Sequence, residues 1–253
     1  MLNKESNWFE SWFNQDYLEL YCNRNALEAE TQVQFLLSLD ELKFFSENLS
    51  LLDVACGAGR HLVPLSMVTK KAFGLDLSKT LLNAANKSLT NRLVLGDMRQ
   101  LPIASASLSL VTSFFSSFGY FSSADDELKV LKEFSRVLLP NGLVFFDLAN
   151  KQQVINSLVE QETVSYSGGT AEITRKIKTI GAQTRVEKQI TLKKGEGEIV
   201  SHNEDLHLFD LREFYAILEA GRFVPVKTFG SFLGEQYLAN SGRLIVLAKK
   251  DCK

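Results

Sequence analysis

The chain has 253 residues, of which 45% are hydrophobic and 23% charged, with a formal net charge of -2. That near-neutral balance excludes a general attraction to phosphate backbones, and three widely spaced cysteines (Cys22, Cys56, Cys252) exclude both a disulfide framework and a Cys-x-x-Cys metal pair. No apolar run approaches the roughly 20 residues of a membrane-spanning helix, and the polar opening 1–5 lacks the apolar centre of a signal peptide, so a cytoplasmic location is expected.

Residues 6–25 carry Trp8, Phe9, Trp12, Phe13, Tyr17, Leu18, Leu20 and Tyr21 at spacings of three and four, which predicts one or two amphipathic helices. A further helix is expected over 26–39, with Leu27, Val33, Leu36 and Leu37 inward. The stretch 51–55 reads as a short buried strand. Gly57 and Gly59 then form a tight turn in which the backbone can approach a ligand, and Arg60 opens a helix. Strand, glycine turn and helix start make a nucleotide-binding corner. The dinucleotide fingerprint needs a third glycine at position 62, which is Leu62, and this weakens a nicotinamide oxidoreductase reading.

Two more strands each end at an acid: 72–76 at Asp76, about twenty residues beyond the turn, and 93–95 just before Asp97. Ser78 is placed to cap a helix over 79–88. A fourth strand covers 108–112, a helix 125–138 and a fifth strand 143–147, with a turn at Pro140-Asn141-Gly142. Helices and strands alternating in this way argue for a parallel sheet covered on both faces. Beyond Asn150 a short helix is expected over 152–159. Residues 171–208 alternate with period two, Ala171, Ile173 and Ile177 sharing one face and Val186, Ile190 and Leu192 another, which predicts a three-stranded antiparallel meander. A helix over 211–220 and two last strands, 223–229 and 243–249, finish the chain.

The motifs DVACGAGRH at 53–61, GLDLS at 74–78, GDMRQLP at 96–102 and EFSRVLLPNGLVFFD at 133–147 resemble those of class I S-adenosylmethionine-dependent methyltransferases, closely over 15–150 and more loosely beyond. The resemblance implies an α/β fold: a Rossmann-like, seven-stranded, mostly parallel sheet with helices on both faces, here with an inserted antiparallel β-meander. It divides the chain into an N-terminal helical lid (1–50), a cofactor-binding core (51–150), inserted strands forming a substrate cap or dimer surface (151–210), and a C-terminal helix and hairpin completing the sheet (211–253).

The resemblance also implies S-adenosylmethionine as cofactor and no metal, and it assigns roles. Ala55, Gly57 and Gly59 let the cofactor lie on the backbone. Asp53 orients the loop or reaches the amino-acid end. Asp76 accepts from the ribose hydroxyls and Asp97 from the adenine amino group, with Leu77 and Met98 on the adenine faces. Phe114 and Ser116 follow the fourth strand near the reacting centre. Tyr17, Tyr21 and Arg24 form a lid, Arg24 facing the methionine carboxylate. Candidate bases are Tyr120, Tyr21, His207 and Tyr17, and His61 belongs to the helix start. The expected partner is a small-molecule acceptor, with no membrane. The cations Arg175, Lys176, Lys178, Arg185, Lys188, Lys193 and Lys194 form either a solvated strand face or a surface for an acidic substrate, an RNA or a second subunit. RNA or protein methylation, and cofactor binding without turnover, are the competing readings.

Overall fold

A computed structural model of the chain describes residues 8–45 and 48–252; the opening 1–5 lies outside them. Two short helices, α1 (Trp8–Trp12) and α2 (Gln15–Leu20), precede α3 (Ala26–Ser38) and α4 (Asp40–Lys43). Asn14 and Asn25 cap α2 and α3 by accepting from backbone N–H groups. The alternating core follows: β1 (Ser50–Val54), α5 (Leu62–Val68), β2 (Lys71–Asp76), α6 (Lys79–Asn83), β3 (Leu93–Leu95), β4 (Leu108–Ser113), α7 (Ala124–Val137) and β5 (Leu138–Ala149). Next come α8 (Lys151–Asn156) and the inserted strands β6 (Gln161–Tyr166), β7 (Gly169–Ile180), β8 (Gln183–Lys194) and β9 (Ile199–His207). The chain closes with α9 (Leu211–Ala220), β10 (Phe223–Phe229) and β11 (Arg243–Lys250).

The main sheet has seven strands in the order β10-β11-β5-β4-β1-β2-β3. β1, β2, β3, β4 and β5 run parallel, and β11 is antiparallel to both β5 and β10. β1 and β4 are fully buried, as a strand covered on both faces must be. On one face α7 and α9 contribute Val130, Leu131, Phe134, Phe214 and Leu218. On the other, α3 and α5 contribute Val33, Leu36, Leu62 and Leu65. The strand order reverses between β1 and β4, and the crevice beyond the C-terminal ends of these two parallel strands is where such sheets bind ligands.

Several sequence expectations are corrected. The inserted sheet has four strands, β6-β7-β8-β9, because Gln161–Tyr166 pairs along β7. Ala171, Ile173 and Ile177 lie directly opposite Leu192, Ile190 and Val186, so the two apolar sets form one face. Trp12 and Leu20 bury themselves in that face, which pins the N-terminal helices to the inserted sheet. Leu27 is exposed, since the inward stripe of α3 is Ala29, Gln32, Val33 and Leu36. The turn at 140–142 is a detour within β5: Asn141 takes φ +62° and the pairing with β4 slips from Leu108–Leu138 to Leu110–Leu143. α5 begins at Leu62 because residues 57–61 are spent on the turn. α6 is short, and a separate 3-10 turn covers Lys87–Leu89. No helix among the described residues is long and apolar enough to cross a membrane.

Candidate active site

The loop after β1 is a run of left-handed backbone: Ala55 at φ +56°, Gly57 at +56° and Gly59 at +80°. The end of β2 holds it in place. Cys56 N–H donates to Leu75 O at 3.0 Å, and Gly57 N–H donates to Asp76 Oδ2 at 2.8 Å. Asp76 Oδ1 accepts from Ser78 N–H at 2.7 Å. Burial pushes the Asp76 carboxyl up from its ordinary value, against the pull of those backbone donors.

Beside it, Asp53 Oδ1 accepts from Thr112 Oγ1 at 2.8 Å, while Oδ2 is buried with no hydrogen-bond partner. Burial, with Asp76 nearby, pushes Asp53 up to about 7, Thr112 opposing. An unpartnered buried acceptor costs about 1–3 kcal/mol until a donor reaches it. The cradle therefore lacks a donor, and a ligand ammonium would supply one.

Asp97 is embraced by Arg99: Nε lies 3.0 Å and Nη2 2.7 Å from Oδ2, and Arg99 N–H is 2.8 Å from Oδ1. Arg99 also pairs with Asp126 at 3.2 Å. Phe114 stacks on the His61 ring, centroids 4.1 Å apart and planes 5° apart. His61 Nε2 lies 2.6 Å from Gln32 Oε1, and burial pushes His61 down to about 3, so it is neutral and donates from Nε2. Its role thus extends from the helix start to the cavity wall.

A cavity of about 590 Å³ opens at these groups. It brings together Asp53, Ala55, Gly57, Asp76, Leu77, Asp97, Met98 and Phe114 from the core. The N-terminal region adds Tyr17, Tyr21 and Arg24, and the segment after β4 adds Tyr120. Arg24 donates to the Tyr17 hydroxyl, and its guanidinium lies 5.0 Å, 4.4 Å and 4.6 Å from the ring centres of Tyr17, Tyr21 and Phe115. Among the described residues no carboxylate pairs with it. Burial raises the phenols of Tyr17, Tyr21 and Tyr120 above their ordinary value, so all three keep their protons.

Three predicted residues stand elsewhere. Gly59 supports the turn from behind, where a Cβ would come 2.5 Å from Leu89 Cδ1. Ser116 shapes the loop after β4, its Oγ accepting from Ala149 N–H at 2.7 Å, and lines the neighbouring second cavity. His207 is remote from the cavity: its Nδ1 lies 2.8 Å from Glu127 Oε1 and its Nε2 2.9 Å from Glu213 Oε1. Both ring nitrogens are occupied, so it has no free lone pair to act as a base.

A second cavity, also about 590 Å³, adjoins the first. Tyr17, Tyr21, Arg24, Phe115 and Tyr120 line both. Its far wall is the inner face of the inserted sheet, where Arg175 on β7, Lys188 on β8 and Glu204 on β9 stand opposite one another in register. Arg175 pairs with Glu162, and Lys188 lies 3.2 Å from Glu204. Sequence reasoning missed this band, because the seven cations of the meander read as one basic run. Each has a carboxylate partner: Lys176 and Lys178 reach Glu187, Arg185 reaches Asp205, Lys193 reaches Glu172 and Lys194 reaches Asp16. Only pairing across strands shows that Arg175 and Lys188, alone among the seven, line the second cavity. Among the described residues no cluster of three or more His, Cys, Asp or Glu is arranged to hold a metal ion.

Residues 52–146 match a family model described as a methyltransferase domain. The chain is 33% identical over 165 residues to the dTDP-3-amino-3,4,6-trideoxy-alpha-D-glucopyranose N,N-dimethyltransferase of Streptomyces venezuelae, covering 64% of this chain and 68% of that one. The crystal structure of Streptomyces venezuelae DesVI superposes with a TM-score of 0.66 at 25% identity, covering 91% of this chain and 95% of that one. An S-adenosylmethionine-dependent methyltransferase from Clostridium acetobutylicum superposes with a TM-score of 0.71 at 18% identity, covering 92% and 94%. With the glycine corner, the two strand-end acids and the sheet order, these likenesses make the chain a member of the class I S-adenosylmethionine-dependent methyltransferases.

Proposed function

We propose that the enzyme transfers its methyl group to an amine on a small polar acceptor, an amino sugar being the favoured class, seated in the second cavity. The observation that carries this reading is the pair of cavities sharing one wall of Tyr17, Tyr21, Phe115 and Tyr120, the far side of the second bearing a charged band. Two relatives that are 33% and 31% identical are named for N,N-dimethylation of dTDP-linked amino sugars. Arg24, Arg175 and Lys188 against Glu162 and Glu204 suit an acceptor that is itself charged.

When bound, the cofactor supplies a methyl group already activated on a sulfonium, so proximity, alignment and exclusion of water are the protein's main contributions. In this reading Asp76 receives the ribose hydroxyls and Asp97 shares its oxygens between Arg99 and the adenine amino group. Leu77 and Met98 flank the ring, Asp53 takes the ammonium and Arg24 the carboxylate. Tyr21 and Tyr120 line the passage as protonated phenols. Residues 1–50 and 151–210 would close over a core formed by 51–150 and 211–253. Three free cysteines suit a reducing cytosol.

The test is release of S-adenosylhomocysteine on presenting amino-sugar nucleotides, bulk RNA and denatured protein in parallel, after calorimetric titration with S-adenosylhomocysteine and NADH. Turnover confined to the amino sugars is expected, with no NADH binding. Turnover on RNA alone would overturn the acceptor class and leave the cofactor assignment standing.

A further inference from the structure

An alkyl amine is protonated at neutral pH, its ordinary pKa being roughly 10, and an ammonium has no lone pair with which to attack. A group lining the acceptor cavity that takes that proton readies the amine for attack. Glu162 is engaged by Arg175, and Glu204 Oε1 accepts from Trp12 Nε1 at 2.6 Å while Lys188 Nζ lies 3.2 Å from its other oxygen. Both carboxylates are thus already engaged by donors of the protein. Tyr17, Tyr21 and Tyr120 hold their own protons. Arg24 and Arg175 are permanently cationic. His207 faces Glu127 and Glu213, outside the cavity. Lys188 remains.

The position of Lys188 suits the task. Its Nζ donates to the Tyr21 hydroxyl and stands 4.9 Å from the centre of that ring. Tyr21 lines both cavities, so Nζ is one side chain away from the wall the methyl group must cross. A neutral Lys188 amine has two N–H bonds for its two oxygen neighbours, the Tyr21 hydroxyl and Glu204, and one lone pair besides. Burial opposes the ammonium, Glu204 favours it, and Arg175 and Arg24 oppose it again, with the result that Lys188 lies below its ordinary value.

We propose that Lys188 is the general base of the reaction. The inference rests on the reading that the acceptor is an amine in the second cavity. The acceptor ammonium passes one proton to Nζ, giving a neutral amine and a Lys188 ammonium held by Glu204. The amine lone pair then forms the new N–C bond while the methyl's C–S bond breaks, its electron pair staying on sulfur as the thioether. Lys188 returns its proton to water as the product leaves.

Two measurements test this. The first is a 13Cε NMR titration of the lysines in the full chain with S-adenosylhomocysteine bound, using K188R to identify the resonance. Lys188 is expected to titrate clearly below the other lysines; titration together with them overturns the proposal whatever the acceptor. The second is the pH profile of kcat and KM with dTDP-3-amino-3,6-dideoxyglucose as the amine. K188R and K188Q are expected to lose about 100-fold in kcat at neutral pH with KM nearly unchanged, the deficit shrinking as alkali frees the amine. A rise in KM alone, or an equal loss at every pH, overturns it. If the wild-type enzyme leaves that amine unmethylated, the amino-sugar reading fails and the NMR titration alone judges Lys188.

Discussion

At the scale of single residues, the cofactor corner is held by carboxylates with little alternative employment. Asp76→Ala removes the acceptor that fixes Gly57 and Ser78 and leaves those donors unpaired. A loss of ~1–3 kcal/mol in S-adenosylhomocysteine affinity is expected by calorimetry, and unchanged affinity removes the ribose assignment. Asp53, pushed up to about 7, is a more sensitive probe. Its folded-state pKa lies above the ordinary 3.8, so ionising it costs folding stability as pH rises from 3.8 to about 7. A bound ammonium would reverse that preference, and cofactor affinity is expected to rise through the same window in wild type and stay flat in Asp53→Asn. Leu62 also acquires a meaning. A Cβ on Gly74 would come 2.6 Å from Leu62 Cδ2 and 2.7 Å from Cys56 Sγ. The space that a third glycine would leave on the helix is provided here by a glycine on the neighbouring strand. Gly74→Ala is expected to cost about 1–3 kcal/mol by overpacking, read from denaturant melts. The acids and glycines of this corner were legible because each ends a strand or opens a turn. Arg99 was not, since nothing in its spacing announces that it folds back on Asp97.

At the scale of elements, the core helices and strands announced themselves through period and caps. α7 carries Ser123 as cap, acids in its first turn and an apolar stripe, and it was found within a residue of its observed bounds. β6 was missed because its pattern of half-buried residues makes sense only once β7 lies beside it. The tie between elements at His207 was equally invisible, since Glu127 and Glu213 sit 80 and 6 positions away. Burial alone would lower the His207 pKa, but hydrogen bonds to the two glutamates outweigh it and raise it above 6.5. The imidazolium therefore contributes fully to stability below 6.5, and that contribution is lost as pH climbs through the raised value. His207→Gln is expected to destabilise by about 3–5 kcal/mol at pH 6, with a smaller gap at pH 9. A gap that does not change with pH rejects the charged state. Trp12 makes the corresponding tie for the N-terminal helices, fully buried and donating to Glu204 at 2.6 Å. Trp12→Ala is expected to cost about 3–5 kcal/mol.

At the scale of the whole molecule, the two cavities are built from different parts of the chain. The first cavity draws most of its wall from the loops at the C-terminal ends of β1, β2, β3 and β4. The second cavity draws its far wall from β6, β7, β8 and β9. Saturation with S-adenosylhomocysteine at a hundred times its Kd is expected to stabilise the fold by ~2.7 kcal/mol, measured as a shift in the unfolding transition. Trp12 and Leu20 seat the first two helices on the inserted sheet, so those helices and residues 161–207 pack as one unit beside the seven-stranded sheet. Grafting both segments together from a relative with a different acceptor is expected to transplant acceptor choice and leave donor affinity where it was. Grafting the strands alone would set a foreign apolar face under Trp12 and forfeit the fold.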